Sequence, residues 1–173
     1  MKVSWKRCFI VGGFLAGLCG VLALAIAGGD LLTRETIAKN KAAKEESGLK
    51  KVFPGAVAEN PTEINEGYLQ KYWTVKNDEG ILGRVYSTFG KNAYGNVGLL
   101  VGVYSDFTLG NIVTLENTES YGTTLEDGYL DPYAKAEDKE AVVDQVTCGA
   151  TYGAKLCRDM IRAAQNHYKG GQA

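Results

Sequence analysis

Thr151 is the side chain whose setting most suggests chemistry. In the run DQVTCGATYGAKL (144–156) it follows Gly149 and Ala150 and stands just ahead of a helical stretch, Lys155 to His167. A helix N-terminus preceded by small residues suits an anion, because its first N–H groups lack partners within the helix and the dipole is positive there. Thr151 adds a hydroxyl at that point, and the small residues at 149 and 150 leave room for close approach. No histidine, cysteine pair or acidic pair stands nearby in sequence to activate the hydroxyl as a nucleophile. An ordinary N-cap threonine fits the same spacing.

The other reactive side chains exclude more than they suggest. His167 is the sole histidine, so a histidine metal site has no ligands, and its place near the C-terminus predicts a solvated helix-end residue. Cys8 and Cys19 are about 16 Å apart along a helix at 1.5 Å per residue and cannot share a metal. Cys148 and Cys157 are placed so that a disulfide is permitted, but the loop-to-helix spacing does not settle it. No Gly-x-Gly-x-x-Gly follows a strand, which leaves no dinucleotide site.

Location follows from the start of the chain. Residues 8–29 carry no charge and are almost wholly apolar; at 1.5 Å per residue they span roughly 33 Å, enough for a bilayer core of about 30 Å. Lys2, Lys6 and Arg7 lie before the run and Asp30 after it. The positive-inside bias then keeps residues 1–7 cytoplasmic and delivers the rest outside. A signal peptide cleaved at Ala25-Ile26-Ala27 is the rival, but the run exceeds the usual apolar region of about 7–15 residues. A lipid anchor at Cys19 is opposed by the bulk of Leu18. Gly12, Gly13, Gly17 and Gly20 allow close helix packing in lipid. Beyond residue 29 the charge is 16 basic against 20 acidic, or −4, and nothing in that balance recruits nucleic acid.

Residues 30–56 read as a solvated stalk helix, with Glu35–Lys39 and Glu46–Lys50 at helical spacing and a stop at Pro54-Gly55. From 57 to 173 a single domain is expected. Tyr68, Gln70, Tyr72 and Thr74 alternate with Leu69, Lys71, Trp73 and Val75, the period of a half-buried strand. A turn at 77–80 leads to a strand at 81–89; strands at 97–104 and 111–117 follow a Gly/Asn-rich loop. A charged helical stretch runs from Asp131 to about Val143. The expected architecture is α+β: a transmembrane helix and stalk, then a small antiparallel sheet with helices on one side.

Several runs together carry a resemblance. The chain resembles the FMN-binding G subunit of the Rnf electron-transport complex, and less closely the C subunit of sodium-translocating NADH:quinone reductase, almost end to end. The basic start, the single anchor and the stalk TRETIAKNKAAKEESGLKKVFPGA (33–56) are similar. LLVGVYSDFTLGNIVTLENTESYGT (99–123) resembles that family's strand leading to a Glu-Thr-Pro-Gly-Leu-Gly loop, and VDQVTCGATYGAK resembles its flavinylation motif, Asp-x-x-Ser/Thr-Gly-Ala-Thr. The resemblance implies an FMN joined through its phosphate to Thr151 by a flavin transferase outside the cytoplasm. It implies electron relay within an ion-translocating ferredoxin:NAD oxidoreductase, membrane subunits as partners, and no turnover by this chain alone.

The site implied comprises Thr147, Cys148, Gly149, Ala150, Thr151 and Tyr152 on one wall, with Glu119, Ser120, Tyr121, Gly122 and Thr123 on the other. Tyr121 and Tyr152 are the candidates to stack on the flavin ring. This sequence departs from the motif in three ways. Cys148 is inserted so that Asp144 lies one residue too far from Thr151, and without a gap Gln145 takes the aspartate position. Gly153 and Ala154 replace hydroxyl residues, and the 119–122 loop is shorter and lacks proline. The alternatives are a subunit of a related quinone reductase and a flavin-free anchored assembly protein with a decayed motif. A pilin-like filament subunit is opposed by the absence of an acidic residue from 8–29.

Overall fold

The computed structural model describes residues 5–125, 129–135 and 149–171. The chain divides into two compact units, Met1–Ala43 and Lys44–Ala173. Helix α1 runs from Trp5 to Val52.

Over its described residues the first unit is helix alone. It carries an 18-residue window of mean hydropathy 2.5 with none of it buried, long and apolar enough to cross a membrane. Phe9, Phe14, Leu24 and Ile26 expose 70% or more of their surface. Such an unbroken apolar surface is stable only against another apolar phase. The polar turns beyond it are laced by Lys39–Glu35 at 2.7 Å, as the spacing predicts, and by Arg34–Asp30 at 2.6 Å. These pairs are exposed and contribute little.

The second unit is α+β around an antiparallel sheet. Strands β1 (Val57–Ala58), β2 (Thr62–Glu66), β3 (Leu69–Asn77), β4 (Gly80–Asn92), β5 (Gly95–Tyr104) and β6 (Leu109–Asn117) lie in the order β1-β3-β4-β5-β6. β2 pairs with β3 on the same edge as β1, further along the strand. A 3-10 turn (Gly122–Leu125) and α2 (Asp131–Lys135) follow, and α3 (Thr151–Gly170) closes the unit. The expected helical stretch from Asp131 is described as far as Lys135, and the remainder lies outside the described residues.

Period-two alternation sorts the strands onto two cores. Tyr86, Leu99 and Val101 point to the face where α3 packs through Met160, Ile161 and Ala164. Val85 and Leu100 point to the opposite face, against Val52 and Phe53. The register of β3 against β4 shifts between Leu69 and Lys71. Leu69 therefore joins the α3 core while Trp73, of the same parity, joins the other.

Two expectations are corrected here. Helices are not confined to one side of the sheet: α3 covers one face and the last turns of α1 cover the other. Residues 44–53 accordingly belong to the compact unit and not to a free stalk. The close approach depends on glycines. A Cβ on Gly48 would come within 2.5 Å of Leu100 Cδ1, and one on Gly102 within 2.6 Å of Val52 Cγ1. Glu45 is buried beside them and pairs with Lys71 at 2.9 Å.

Candidate functional site

Three turns of the second unit converge. The first is the two-residue turn between β4 and β5, where Asn92 pairs with Gly95 across Ala93 and Tyr94. Asn92 Oδ1 accepts the N–H groups of Tyr94 (2.7 Å) and Gly95 (3.1 Å). Gly95 has φ +155, and a Cβ there would meet the Thr118 carbonyl at 2.5 Å. The hairpin thus lies hard against the second segment, the loop after β6.

That loop is wound by Asn117, whose Oδ1 accepts from Glu119 N–H (3.2 Å) and whose Nδ2 donates to Gly122 O (2.8 Å). Several bonds tie it to the hairpin, among them the pair between Thr118 and Asn96 at 2.9 Å. Ser120 N–H donates to the Tyr94 carbonyl at 3.2 Å, and the Asn92 side-chain amide donates to Glu119 Oε1.

The third segment is the mouth of α3. Ala150 occupies the N-cap position (φ −96, ψ 62), and no side chain caps it. Thr151 is the first helical residue and is exposed. Its hydroxyl does not serve as an N-cap, which removes the structural role that its spacing equally allowed. Among the described residues no side chain caps the first-turn N–H groups, which stand beside a dipole favourable to negative charge. Glu119 supplies some of that charge: it is 9% exposed, and its Oε2 lies where a Cβ on Gly153 would stand. Leu125 Cδ1 closes the same space at 2.5 Å. The glycine that replaces the expected hydroxyl residue at 153 is thus required by the packing of this chain, and Ala154 is fully buried.

Between these segments lies an open pocket of about 310 Å³, at the small end of the range for small-molecule sites. Gly149, Ala150, Thr151 and Tyr152 form one wall, and Glu119, Tyr121 and Tyr94 the other. Six residues expected at the site therefore face one cavity. Ser120, Gly122 and Thr123 build the adjoining loop and do not line it. Thr147 and Cys148, and with Cys148 any bridge to the buried Cys157, lie outside the described residues.

The rim is aromatic. Tyr94, Tyr121 and Tyr152 expose 48%, 64% and 62% of their surface, and the rings of Tyr94 and Tyr152 stand 5.3 Å apart at 39°. Sequence reasoning missed Tyr94 and its support, Asn92. The available signal was an Asn-x-x-Gly turn carrying an aromatic residue, in a segment read only as a Gly/Asn-rich loop.

At the far end of α3 the expectation for His167 is corrected. The ring is half-buried, and Nδ1 lies 3.2 Å from the hydroxyl of buried Tyr86. Arg84 fills the remaining space, its guanidinium 4.7 Å from the Tyr72 ring and 5.1 Å from that of Tyr168. Burial pushes the Tyr86 hydroxyl above its ordinary pKa, against the opposing pull of Arg84. Among the described residues no group of three or more His, Cys, Asp or Glu side chains is arranged to hold a metal.

No family model and no curated protein matches the chain.

Proposed function

We propose that the protein is a membrane-anchored flavoprotein in which Thr151 carries FMN through a phosphoester, serving as an electron relay in an Rnf-type complex. The observation that carries this reading is the exposed, non-capping Thr151 hydroxyl at an uncapped helix mouth, inside a pocket rimmed by three exposed tyrosines. A core or capping threonine would be occupied by the fold. This one is not.

The pocket suits the parts of the cofactor. Thr151 offers the oxygen for the ester, and the first-turn N–H groups of α3 offer donors to phosphate oxygens. Gly149 and Ala150 leave the approach open. Glu119 lies against Gly153 and lines the same pocket as Thr151, on the facing wall. Tyr94, Tyr121 and Tyr152 offer flat apolar faces to a ring system, and the bond from Asn92 to Glu119 ties the turn that bears Tyr94 to the loop that bears Tyr121. FMN, when bound, supplies the redox chemistry, and the protein supplies position and electrostatics.

The remaining assignments follow the same reading. The apolar helix is a single-pass anchor in the cell membrane, with a cytoplasmic N-terminus and the 44–173 unit outside. A flavin transferase loads the cofactor, and the membrane subunits of the complex exchange electrons with it. The decisive experiment is to express the chain with a flavin transferase, denature and wash it, and view it under ultraviolet light. A fluorescent band at the mass of the chain plus FMN less one water is expected; a colourless protein after co-expression overturns the proposal. A reporter active only outside the cytoplasm, fused after Ala173, is expected to be active.

A further inference from the structure

We propose that Tyr94 is the fixed aromatic wall of the site, the ring on which the flat ring system of the bound cofactor stacks, with Tyr152 as the ring that yields to admit it. The inference rests on the flavin reading above and adds to it a residue outside the motifs that first marked the site.

One fact separates Tyr94 from the other two rim tyrosines. Its backbone is clamped from three directions: Asn92 Oδ1 accepts its N–H at 2.7 Å, its carbonyl accepts Ser120 N–H at 3.2 Å, and Gly95 beside it lies against Thr118. The ring carried on that backbone is, like those of Tyr121 and Tyr152, exposed at the pocket and outside both cores. Exposed large aromatics on a pre-ordered turn are the pattern of a binding surface, because the ordering cost is already met before the ligand arrives.

The pair geometry gives the direction of movement. A planar ring held between two others needs about 3.5 Å on each side, so roughly 7 Å between the outer rings. Tyr94 and Tyr152 are 5.3 Å apart. One ring must give way. Tyr152 stands on the first turn of α3, 62% exposed, and its side chain can rotate into solvent at little cost. Tyr94 is the ring whose backbone cannot move without opening the β4–β5 turn.

Contact between a phenol ring and a flavin has a direct optical signature. On excitation the electron-rich phenol passes one electron to the flavin and recovers it in the dark, so light emission is lost and no net chemistry occurs. The experiment uses the full-length chain in detergent, loaded by co-expressed flavin transferase, and reads fluorescence per covalently bound flavin in the folded state. Tyr94→Leu is expected to keep the FMN mass while brightening several-fold, and Tyr94→Trp to stay dark. Tyr152→Leu should change the emission much less. Equal quenching in Tyr94→Leu and the unaltered chain, or brightening in Tyr152→Leu alone, overturns the assignment of Tyr94 while leaving the flavin site standing. An unaltered chain without FMN overturns both.

Discussion

The Glu119 carboxylate occupies the space in which a side chain at residue 153 would have to stand. Gly153 lies on the first turn of α3, and a Cβ there would overlap Glu119 Oε2 and reach within 2.5 Å of Leu125 Cδ1. Neither neighbour can easily withdraw, since Glu119 is held by Asn92 and Leu125 is 2% exposed. Gly153→Ala should therefore destabilise the domain by up to about 2 kcal/mol, the overpacking cost of roughly 1–3 kcal/mol being offset by a helix-propensity gain of about 1. Thermal unfolding in detergent measures it. Adding Glu119→Ala should recover part of the loss, because the two changes share one contact. A stabilised Gly153→Ala protein would show that the helix mouth is looser than this packing implies.

On the opposite face, the Glu45–Lys71 pair is 2.9 Å long with its side chains only 9% and 20% exposed, and Glu45 Oε1 has no hydrogen-bond partner. Lys71→Met leaves that carboxylate buried and alone. The loss should be about 3 kcal/mol, at the low end for breaking a buried pair because Lys71 retains some water contact. Glu45→Leu together with Lys71→Met should restore most of the stability. Denaturant unfolding of both variants distinguishes the cases: a double variant as weak as Lys71→Met would show that the pair, and not the stranded charge, matters.

What sequence alone could reveal divides along physical lines. Strands β3 to β6 and α3 were legible because their alternation or helical periodicity reports burial directly. The last turns of α1 were not. Glu45 and Gly48 read as parts of a solvated helix, since burial of a paired acid or of a glycine leaves no apolar mark. β1 and β2 are short and mostly exposed, so no hydrophobic pattern announces them. At the site, Thr151 and the Glu119 loop were legible as motifs. Tyr94 was not, because its proximity to Thr151 comes from the hairpin's long-range docking on Thr118 and Ser120.

Tyr86 gives the fold a limit at alkaline pH. Its hydroxyl ionises at 10.0 in an unreacted, unfolded setting, and burial raises that value in the folded protein. Above pH 10 the unfolded chain releases the proton while the folded one holds it. The contribution is therefore fully present below pH 10 and is lost as pH rises through the higher folded value. Tyr86→Phe should cost about 1 kcal/mol at neutral pH through the lost bond to His167, and its stability should decline less between pH 10 and 11. Unfolding curves at pH 8, 10 and 11 test this; parallel declines in both proteins would remove Tyr86 as the cause.

Thr151 separates attachment from folding. Its hydroxyl caps nothing, because Ala150 holds the N-cap position, and its side chain is exposed. Thr151→Ala should therefore change stability by no more than about 0.5 kcal/mol, the ordinary range for a surface change. A phosphoester needs an oxygen, so the same variant should lose covalent FMN completely, while Thr151→Ser keeps the oxygen and should retain some. Thr147→Ala should retain all of it. Intact mass and melting temperature, measured on the same preparations, read the two effects independently. Added FMN mass persisting in Thr151→Ala would place the linkage at another residue, and a large fall in its melting temperature would return Thr151 to a structural role.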